Sequence, residues 1–152
     1  MKLTLRDATA ADAPLLGAMN RQLADDERSR NPLPAAALAA RMEKWLGEGW
    51  RGVLVESEAQ QVIGYALFQI SADYYDPSIP EVYVRQFFIA RDFRRQGLGR
   101  KAFALVASTH FPAGANVLLD VLATNPAGQQ FWHSLGFEPY STSMRRPQSS
   151  QP

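Results

Sequence analysis

The segment of residues 81–109 constrains the fold of this chain more than any other part of the sequence. Residues 81–89 are rich in valine, tyrosine and phenylalanine and predict a strand; a short polar turn follows, and then Gly97 and Gly99 open an amphipathic helix. Glycine lets a backbone approach a ligand without a Cβ in the way, and the first amides of a helix have no partner within it. Between Arg91 and Lys101 five residues are basic and one is acidic. Unpaired amides beside flexible cations predict a site for a diphosphate.

Other interpretations of the same glycines fit less well. Gly97, Gly99 and Ala102 satisfy the Gly-x-Gly-x-x-Ala pattern of dinucleotide-binding proteins. In that pattern the glycines follow the strand directly and an acid ends the next strand, whereas here residues 90–96 intervene and Asp120 lies inside the predicted strand 117–123. A Walker loop is excluded, because no Gly-Lys-Ser or Gly-Lys-Thr is present. A helix start with a solvated basic face remains the alternative to a binding loop.

The periodicity of the whole chain predicts a mixed α+β domain (an α/β mixed sheet). Strands are predicted at residues 2–6, 52–56, 62–70, 81–89, 117–123 and 137–145. Helices are predicted to begin after Asp12, after Pro34, at Leu98 and at Asn125. The order is therefore β-αα-βββ-α-β-α-β, a central sheet flanked by helices. Since no linker, repeat or low-complexity stretch interrupts it, residues 1–146 are predicted to form one domain, followed by a frayed tail at 147–152.

The composition narrows the classes of function. The chain has no cysteine, which excludes disulfides, thiol nucleophiles and thiolate metal sites and fits a reducing, cytoplasmic location. Two histidines, His110 and His133, are too few for a histidine-rich site, so we expect no metal. A net charge of +1 gives no general attraction to nucleic acid, and no apolar run reaches the ~18 residues of a membrane helix. The sequence is compatible with a homodimer.

Two motifs of the chain resemble those of one enzyme family. The stretch Phe87-Phe-Ile-Ala-Arg-Asp-Phe-Arg-Arg-Gln-Gly-Leu-Gly99 is similar to the acetyl-CoA-binding motif of the GNAT superfamily of N-acetyltransferases, a strand followed by an acidic turn and Arg/Gln-x-x-Gly-x-Gly/Ala. Asn125 and the block Phe131-Trp-His-Ser-Leu-Gly-Phe137 resemble the second motif of that family. The order of elements matches as well, so the resemblance covers residues 1–146 and implies a GNAT-like acyl-CoA N-acyltransferase fold.

The resemblance implies that acetyl-CoA is the cosubstrate and that its acetyl group passes to a primary amine by direct attack in a ternary complex. The backbone of residues 87–89 would pair with the pantetheine arm, and an amide there would polarise the thioester carbonyl. Amides of residues 96–100 would hold the diphosphate while nearby cations screen its charge. Asn125 is either a helix N-cap or a cofactor contact. The residues implied in binding acetyl-CoA are Phe87, Phe88, Ile89, Arg94, Arg95, Gln96, Gly97, Leu98, Gly99, Arg100, Lys101, Asn125, Phe131 and Trp132.

The residues for proton transfer are marked less clearly. Alternation along the predicted strand puts on one face Glu81, Tyr83, Arg85, Phe87 and Ile89. The family often carries a glutamate base on this face of this strand. Here the aligned position holds Tyr83, and Glu81 lies one step further out. We therefore expect Glu81 to act as the base through water, with Asp120 as a second candidate or as the partner of a nearby arginine.

Trp132 departs from the family pattern. The family commonly has a tyrosine there, which protonates or hydrogen-bonds the leaving sulfur, whereas an indole N–H donates a hydrogen bond but is not an acid near neutral pH. Tyr83 or Tyr140 is the expected substitute. A thiol with a pKa near ~8.5 also leaves tolerably well as the thiolate.

Only the charged residues of the sequence indicate the chemical class of the acceptor amine. The first helices and the stretch before the central strand carry acids, Glu27 among them, that favour a cationic amine. Arg85 instead favours a carboxylate or phosphate. An amine that also bears an anionic group would match both the acids and Arg85. The alternative is that these charged residues are solvated surface and bind no substrate. The sequence thus predicts an acetyl-CoA-dependent N-acetyltransferase for a small-molecule or peptide amine. The alternative function is a non-catalytic acyl-CoA-binding sensor module.

Overall fold

The computed structural model describes residues 1–149 and has the predicted mixed architecture of sheet and helices. Within these residues the strands and α-helices are, in chain order, β1 (Thr4–Asp7), α1 (Ala13–Asp26), α2 (Ala35–Gly47), β2 (Arg51–Glu56), β3 (Val62–Ala72), β4 (Pro80–Ile89), α3 (Leu98–His110), β5 (Asn116–Leu119) and α4 (Pro126–Ser134). Two short 3-10 helices cover Ala10–Asp12 and Arg91–Phe93. No helix of this part of the chain is long and apolar enough to cross a membrane. Of the predicted tail, residues 147–149 have no regular structure and residues 150–152 lie outside the described residues.

The strands form one sheet in the order β1-β2-β3-β4-β5. Strands β1 to β4 pair antiparallel, and β5 lies parallel to β4. A parallel neighbour requires a crossover, which α3 provides, as the strand–turn–helix pattern of residues 81–109 predicts. The sheet is therefore mixed, and its single parallel step lies next to the glycine loop.

Apolar side chains cover both faces of the sheet. On one face α1 and α2 pack against the central strands through a cluster that includes Leu16, Met42 and Tyr65. On the other face α3 packs through Ala102 and Val106, both of which are fully buried. Helices on both faces explain why β2 and β3 are continuously apolar instead of alternating. This packing holds β4 between two layers of helices.

Strands β4 and β5 separate part-way along their length. They are paired from Glu81 with Asn116 to Val84 with Leu119, where β5 ends. Strand β4 continues to Ile89 and stays paired with β3 on its other side. In the described part of the chain, the second half of β4 (residues 85–89) has no strand on its β5 side. The backbone N–H and C=O groups on that side that have no partner within the protein must bond to a ligand or to water.

A β-bulge lies at the point of separation. Leu67 of β3 pairs with Gln86, but the next residue, Phe68, pairs with Val84. Arg85 is therefore the extra residue, and the alternation of side chains reverses after it.

Because of the bulge, the side chains of β4 do not all lie on the face of the sheet that alternation predicts. Tyr83 and Arg85 contact Trp50 on the α1/α2 side of the sheet, as alternation predicts. Phe87 and Ile89 pack on the α3 side instead. The prediction that all of them share one face was wrong for Phe87 and Ile89, because one inserted residue shifts a period-two pattern to the other face.

The predicted strand at 117–123 is shorter in the structure. Strand β5 ends at Leu119, so Asp120 follows the strand and does not lie inside it. One of the two arguments against a dinucleotide fingerprint is thereby lost. The other holds, because β4 ends at Ile89 and the first glycine of the loop is Gly97.

The predicted last strand, at residues 137–145, is absent, and this prediction was wrong. The apolar residues of the segment are Phe137, Tyr140 and Met144, whose spacing is not that of a half-buried strand. Pro139 also lacks a backbone donor. Tyr140 and Met144 are exposed, at 83% and 92%. The observed order therefore ends with α4.

Candidate functional site

A cavity of about 560 Å³ opens where β4 and β5 separate. Its walls come from the second half of β4, the glycine loop with the first turn of α3, the start of α4 and the end of α1. The predicted residues of β4 that line it are Arg85, Phe87, Phe88 and Ile89. Because the cavity lies along an unpaired strand edge, an extended ligand can add to the sheet there.

The glycine loop forms one end of the cavity. Arg95 and Gly97 have positive φ angles of 61° and 72°, and Gly97 is the N-cap residue of α3. No side chain bonds to the first amides of this helix. A tight turn leading into an uncapped helix N-terminus is a backbone geometry that binds anions. The predicted residues of this region that line the cavity are Arg94, Arg95, Gly97, Gly99 and Arg100.

Leu98 and Gly99 serve the packing of α3. Leu98 is 4% exposed and lies in the core, so only its backbone can contact a ligand. A Cβ on Gly99 would lie 3.1 Å from the Phe131 ring, closer than an ordinary contact. The absence of a side chain at Gly99 thus lets α3 and α4 approach each other beside the cavity.

Arg94, predicted to screen the diphosphate, is engaged within the protein. Its Nε donates to the Ile89 carbonyl oxygen at 2.7 Å, and its Nη2 donates to the Asp26 carboxylate at 2.5 Å. Arg91 donates to the same carboxylate through its Nε at 2.8 Å. Asp26 is the last residue of α1. The two ion pairs therefore tie the glycine loop to α1, and Arg94 positions the loop.

Arg95 and Arg100 are the cations of the loop that remain beside the cavity. Arg95 forms no ion pair with any carboxylate of residues 1–149. Arg100 also lines the cavity, and its Nη2 donates to the Ser134 carbonyl oxygen at 2.9 Å. These two guanidinium groups can screen a bound diphosphate.

Lys101 and Gln96 are not brought into the cavity. The Lys101 ammonium donates to the Met1 carbonyl oxygen, in a separate surface depression next to the N-terminus. The Gln96 side chain donates to the Asp92 carbonyl oxygen at 3.3 Å. Their predicted part in binding acetyl-CoA is thereby restricted to their backbone amides.

Aromatic side chains form the wall of the cavity at α4. The Phe131 ring lies nearly parallel to that of Phe87, with centroids 6.2 Å apart. Trp132 packs edge-on against four aromatic rings at 4.8–5.6 Å, those of Phe87, Phe103, Phe131 and Phe137. Phe131 and Trp132 both line the cavity. Trp132 is therefore held in an aromatic cluster and gives the cavity an apolar surface.

Asn125 is the N-cap of α4, as one of its two alternatives predicts. Its Oδ1 accepts a hydrogen bond from the Gly128 amide at 3.0 Å, and Pro126 occupies the first position of the helix. Asn125 also lines the cavity. The cap therefore fixes the start of α4 at the wall of the site.

Loss of this cap should lower stability without unfolding the protein. Asn125→Ala is expected to reduce the free energy of unfolding by about 1 kcal/mol, because the Gly128 amide loses its acceptor. Asn125→Asp should retain the wild-type value, since a carboxylate accepts the same bond at the positive end of the helix. Urea unfolding of the three proteins tests this, and an alanine variant as stable as wild type would contradict it.

Two carboxylates lie in the wall of the cavity. Glu27, just after α1, and Asp120, just after β5, both line the cavity. Burial raises the pKa of the Glu27 carboxyl above its ordinary value, and the neighbouring Asp26 raises it further. A carboxylate with a raised pKa is a better proton acceptor. Glu81, the predicted base, is not among the lining residues.

Tyr83 is hydrogen-bonded to Asp120. Its hydroxyl donates to Asp120 Oδ2 at 2.5 Å, which joins β4 to the residue after β5. Burial, together with this bond, raises the pKa of Tyr83 to about 12. A phenol of that pKa is a poor acid toward a thiolate whose conjugate acid has a pKa near ~8.5. Tyr83 thus orients Asp120, which does not pair with an arginine.

The Tyr83–Asp120 bond should be visible in a pH titration. In the wild type, phenolate absorbance from Tyr83 should develop near pH 12; in Asp120→Asn it should move toward 10, because the carboxylate no longer favours the protonated hydroxyl. Since folding favours the protonated phenol, its stabilisation is present below pH 10 and is lost as the pH rises toward 12. Subtracting the spectrum of Tyr83→Phe isolates this group, and an unshifted midpoint in Asp120→Asn would refute the coupling.

Several cavity residues were not marked by any motif. They are Leu23, Asp26, Val84, Leu119, Val121, Ala127 and Gly128; Ser134 also lines the cavity and lies inside the second motif. Only the position of Gly128, three residues after a capping asparagine, carried a local signal. The others become neighbours through tertiary packing, when the ends of α1 and β5 meet α4. Within residues 1–149, no group of three or more His, Cys, Asp or Glu residues could hold a metal ion.

The fold therefore combines a separated sheet edge with an uncapped helix N-terminus in one cavity, a geometry that suits an extended anionic ligand. The family model of the acetyltransferase (GNAT) family matches residues 18–137. The chain belongs to this family, which confirms the resemblance seen in its two motifs.

Solved structures share the fold at low sequence identity. A "possible acetyltransferase" from Clostridium difficile 630 superposes with a TM-score of 0.76 at 13% identity, over 98% of this chain and 99% of that one. A predicted acetyltransferase from Clostridium acetobutylicum, solved with acetyl-CoA, gives 0.73 at 14% identity, over 96% of each chain. An aminoglycoside acetyltransferase from an uncultured soil metagenomic sample, solved with trehalose, gives 0.70 at 16% identity, over 97% of each chain. Among curated proteins, no sequence matches this chain significantly.

Proposed function

We propose that this protein is an N-acetyltransferase that moves an acetyl group from acetyl-CoA to a primary amine of a small molecule or peptide. The observation that carries the proposal is the cavity in which the unpaired half of β4 meets the glycine loop. Membership of the acetyltransferase (GNAT) family supports acyl transfer, and the relative solved with acetyl-CoA supports the donor. The aminoglycoside acetyltransferase supports a small-molecule acceptor. A cytoplasmic location, supported by the lack of cysteine, completes the proposal.

In this proposal the chain binds acetyl-CoA mainly through its backbone. The backbone N–H and C=O groups of residues 85–89 that have no partner within the protein exchange hydrogen bonds with the pantetheine amides, which add to the sheet as a strand. The amides around Gly97 bind the diphosphate at the start of α3, and Arg95 and Arg100 screen its charge. Arg94 and Asp26 hold the loop in position. An amide of residues 87–89 polarises the thioester carbonyl.

The transfer itself requires an unprotonated amine. An alkyl amine with a pKa near ~10.4 is mostly protonated at neutral pH, so a proton must be removed before the nitrogen attacks the thioester carbon. As the C–N bond forms, the C–S bond breaks and the sulfur leaves as a thiolate. We assign the proton acceptor to Glu27, directly or through one water, in preference to Glu81, because Glu27 lines the cavity.

One experiment tests the proposal against its alternative. Acetyl-CoA should raise the melting temperature, and incubation with a panel of amines should release free CoA thiol and give acetylated products by mass spectrometry. An acyl-CoA sensor module, favoured by Trp132 at the position of the family's tyrosine, predicts the same protection with no thiol released by any amine. No protection by acetyl-CoA would contradict both functions.

A further inference from the structure

Two arginines share one tryptophan, and one of them, Arg85, lines the cavity. The guanidinium carbon of Arg41, on α2, lies 4.4 Å from the centroid of the Trp45 ring, and that of Arg85 lies 4.2 Å from the same centroid. Arg85 also lies 5.3 Å from the Trp50 ring. Aromatic rings hold a guanidinium in a fixed orientation and attract its charge. One indole ring therefore holds both cations, near enough for the positive charge of Arg85 to act on Arg41.

These two cations have no anionic partner. Neither Arg41 nor Arg85 forms an ion pair with any carboxylate of residues 1–149. The Nε of Arg41 is buried and bonds to nothing in this part of the chain, although its Nη2 donates to Asn20 at 3.1 Å. Burial lowers the pKa of the Arg41 guanidinium, and the positive charge of Arg85 lowers it further. Like charges near each other and a buried donor without an acceptor both cost free energy, which an anion bonded to both guanidinium groups would recover.

We propose that Arg41, Arg85 and Trp45 form a subsite for an anionic group, a carboxylate or a phosphate, on the acceptor amine. The inference rests on the proposed function, because it concerns the acceptor of that reaction. Arg85 connects the subsite to the cavity, which it lines together with Glu27. The acceptor amine then lies near the carboxylate of Glu27 while its anionic group lies near the arginines. The substrate class is thus a zwitterionic amine, such as an amino acid or an amino-phosphate, and not a polycationic amine.

Matched ligand pairs test the subsite without requiring turnover. Wild-type protein saturated with CoA would be titrated with glycine against glycinamide, phenylalanine against phenethylamine, and phosphoethanolamine against ethanolamine, with the melting temperature and calorimetric Kd as readouts. We expect the anionic member of at least one pair to bind about 10- to 100-fold more tightly, because charge-assisted bonds to a guanidinium are lost in its partner. The first two pairs test whether the subsite recognises a carboxylate, and the third tests whether it recognises a phosphate.

Three variants assign the effect to its residues. Arg41→Gln and Arg85→Gln should each reduce the anionic preference at least about tenfold, and Arg85→Lys should retain part of it. Arg51→Gln is the matched control, because Arg51 also lies on an aromatic ring, that of Phe68 at 5.4 Å, but does not line the cavity. It should leave the preference unchanged. Stabilisation by CoA, measured in every variant, shows that the protein is folded and the donor site intact.

The outcomes separate this inference from the proposed function. If CoA binds but every neutral amine binds as tightly as its anionic partner, or if the preference survives both glutamine substitutions, the subsite is refuted while the acetyltransferase proposal stands. If CoA does not bind, the proposed function fails, and the anionic preference in the absence of CoA then decides the subsite by the same comparison.

Discussion

Gly97→Val should weaken the binding of CoA by at least about 100-fold. Gly97 has a φ of 72°, a conformation that a β-branched residue rarely adopts, so the loop must leave its present shape. Amides then no longer converge on the diphosphate. Each charge-assisted hydrogen bond contributes about 1.5–3 kcal/mol, and the loss of two accounts for the expected change. Isothermal titration calorimetry with CoA measures it.

Gly114 provides the matched control for this substitution. Its φ is 73°, and a Cβ there would also meet open space, but Gly114 lies between α3 and β5 and does not line the cavity. Gly97→Val and Gly114→Val should therefore lose similar stability, about 1–2 kcal/mol. Only the first should lose affinity for CoA. Equal loss of affinity in both would mean that general destabilisation, and not the loop, explains the result.

Glu27→Gln should lower kcat by about 10²- to 10⁴-fold and leave the affinity for CoA unchanged. Glutamine has the same shape as glutamate but cannot accept the proton of the amine. In the wild type, activity should fall on the acid side at a pH above the ordinary carboxyl pKa of 4.5, because burial raises the pKa of Glu27. Steady-state rates across pH, with an amine identified from the panel, test both expectations.

Glu81→Gln is the comparison that decides between the two bases. It makes the same chemical change at the base that the sequence predicts. If Glu27 accepts the proton, only Glu27→Gln should lower kcat strongly. In Glu81→Gln, activity should still fall on the acid side of the pH profile as it does in the wild type. The reverse pattern would return the role to Glu81. Small changes in both would point to water as the final acceptor.

Local patterns predicted the parts of the fold that depend on neighbouring residues. Helix α3 begins at Leu98, as predicted from the glycines, and β4 covers Pro80–Ile89, close to the predicted 81–89. The N-cap role of Asn125 was also predicted, as one of two alternatives, because Asn-Pro at the start of a helix is a local signal. The segment 137–145 failed for the same reason. Its Phe, Tyr and Thr favour a strand, but the spacing of its apolar residues and Pro139 do not, and a strand also needs a partner that local composition does not reveal.

The features of the site that depend on contacts between residues far apart in the sequence could not be predicted. Arg94 was expected at the diphosphate because it lies beside the glycines, but its partner is Asp26, 68 residues away in the chain. The bulge at Arg85 is equally hidden, since it exists only in the pairing of β4 with β3. Glu27 was marked as acidic but not as half-buried, a property that comes from the packing of α1 against the sheet.

The open half of β4 also bears on how the protein behaves in solution. An uncovered strand edge is a template for strands of other chains and a route to aggregation. CoA, by occupying that edge, would compete with such contacts. Concentrated protein stripped of CoA should therefore associate into larger particles, and added CoA should redissolve or prevent them. The solubility of the protein would then depend on the supply of CoA, just as catalysis does under the proposed function.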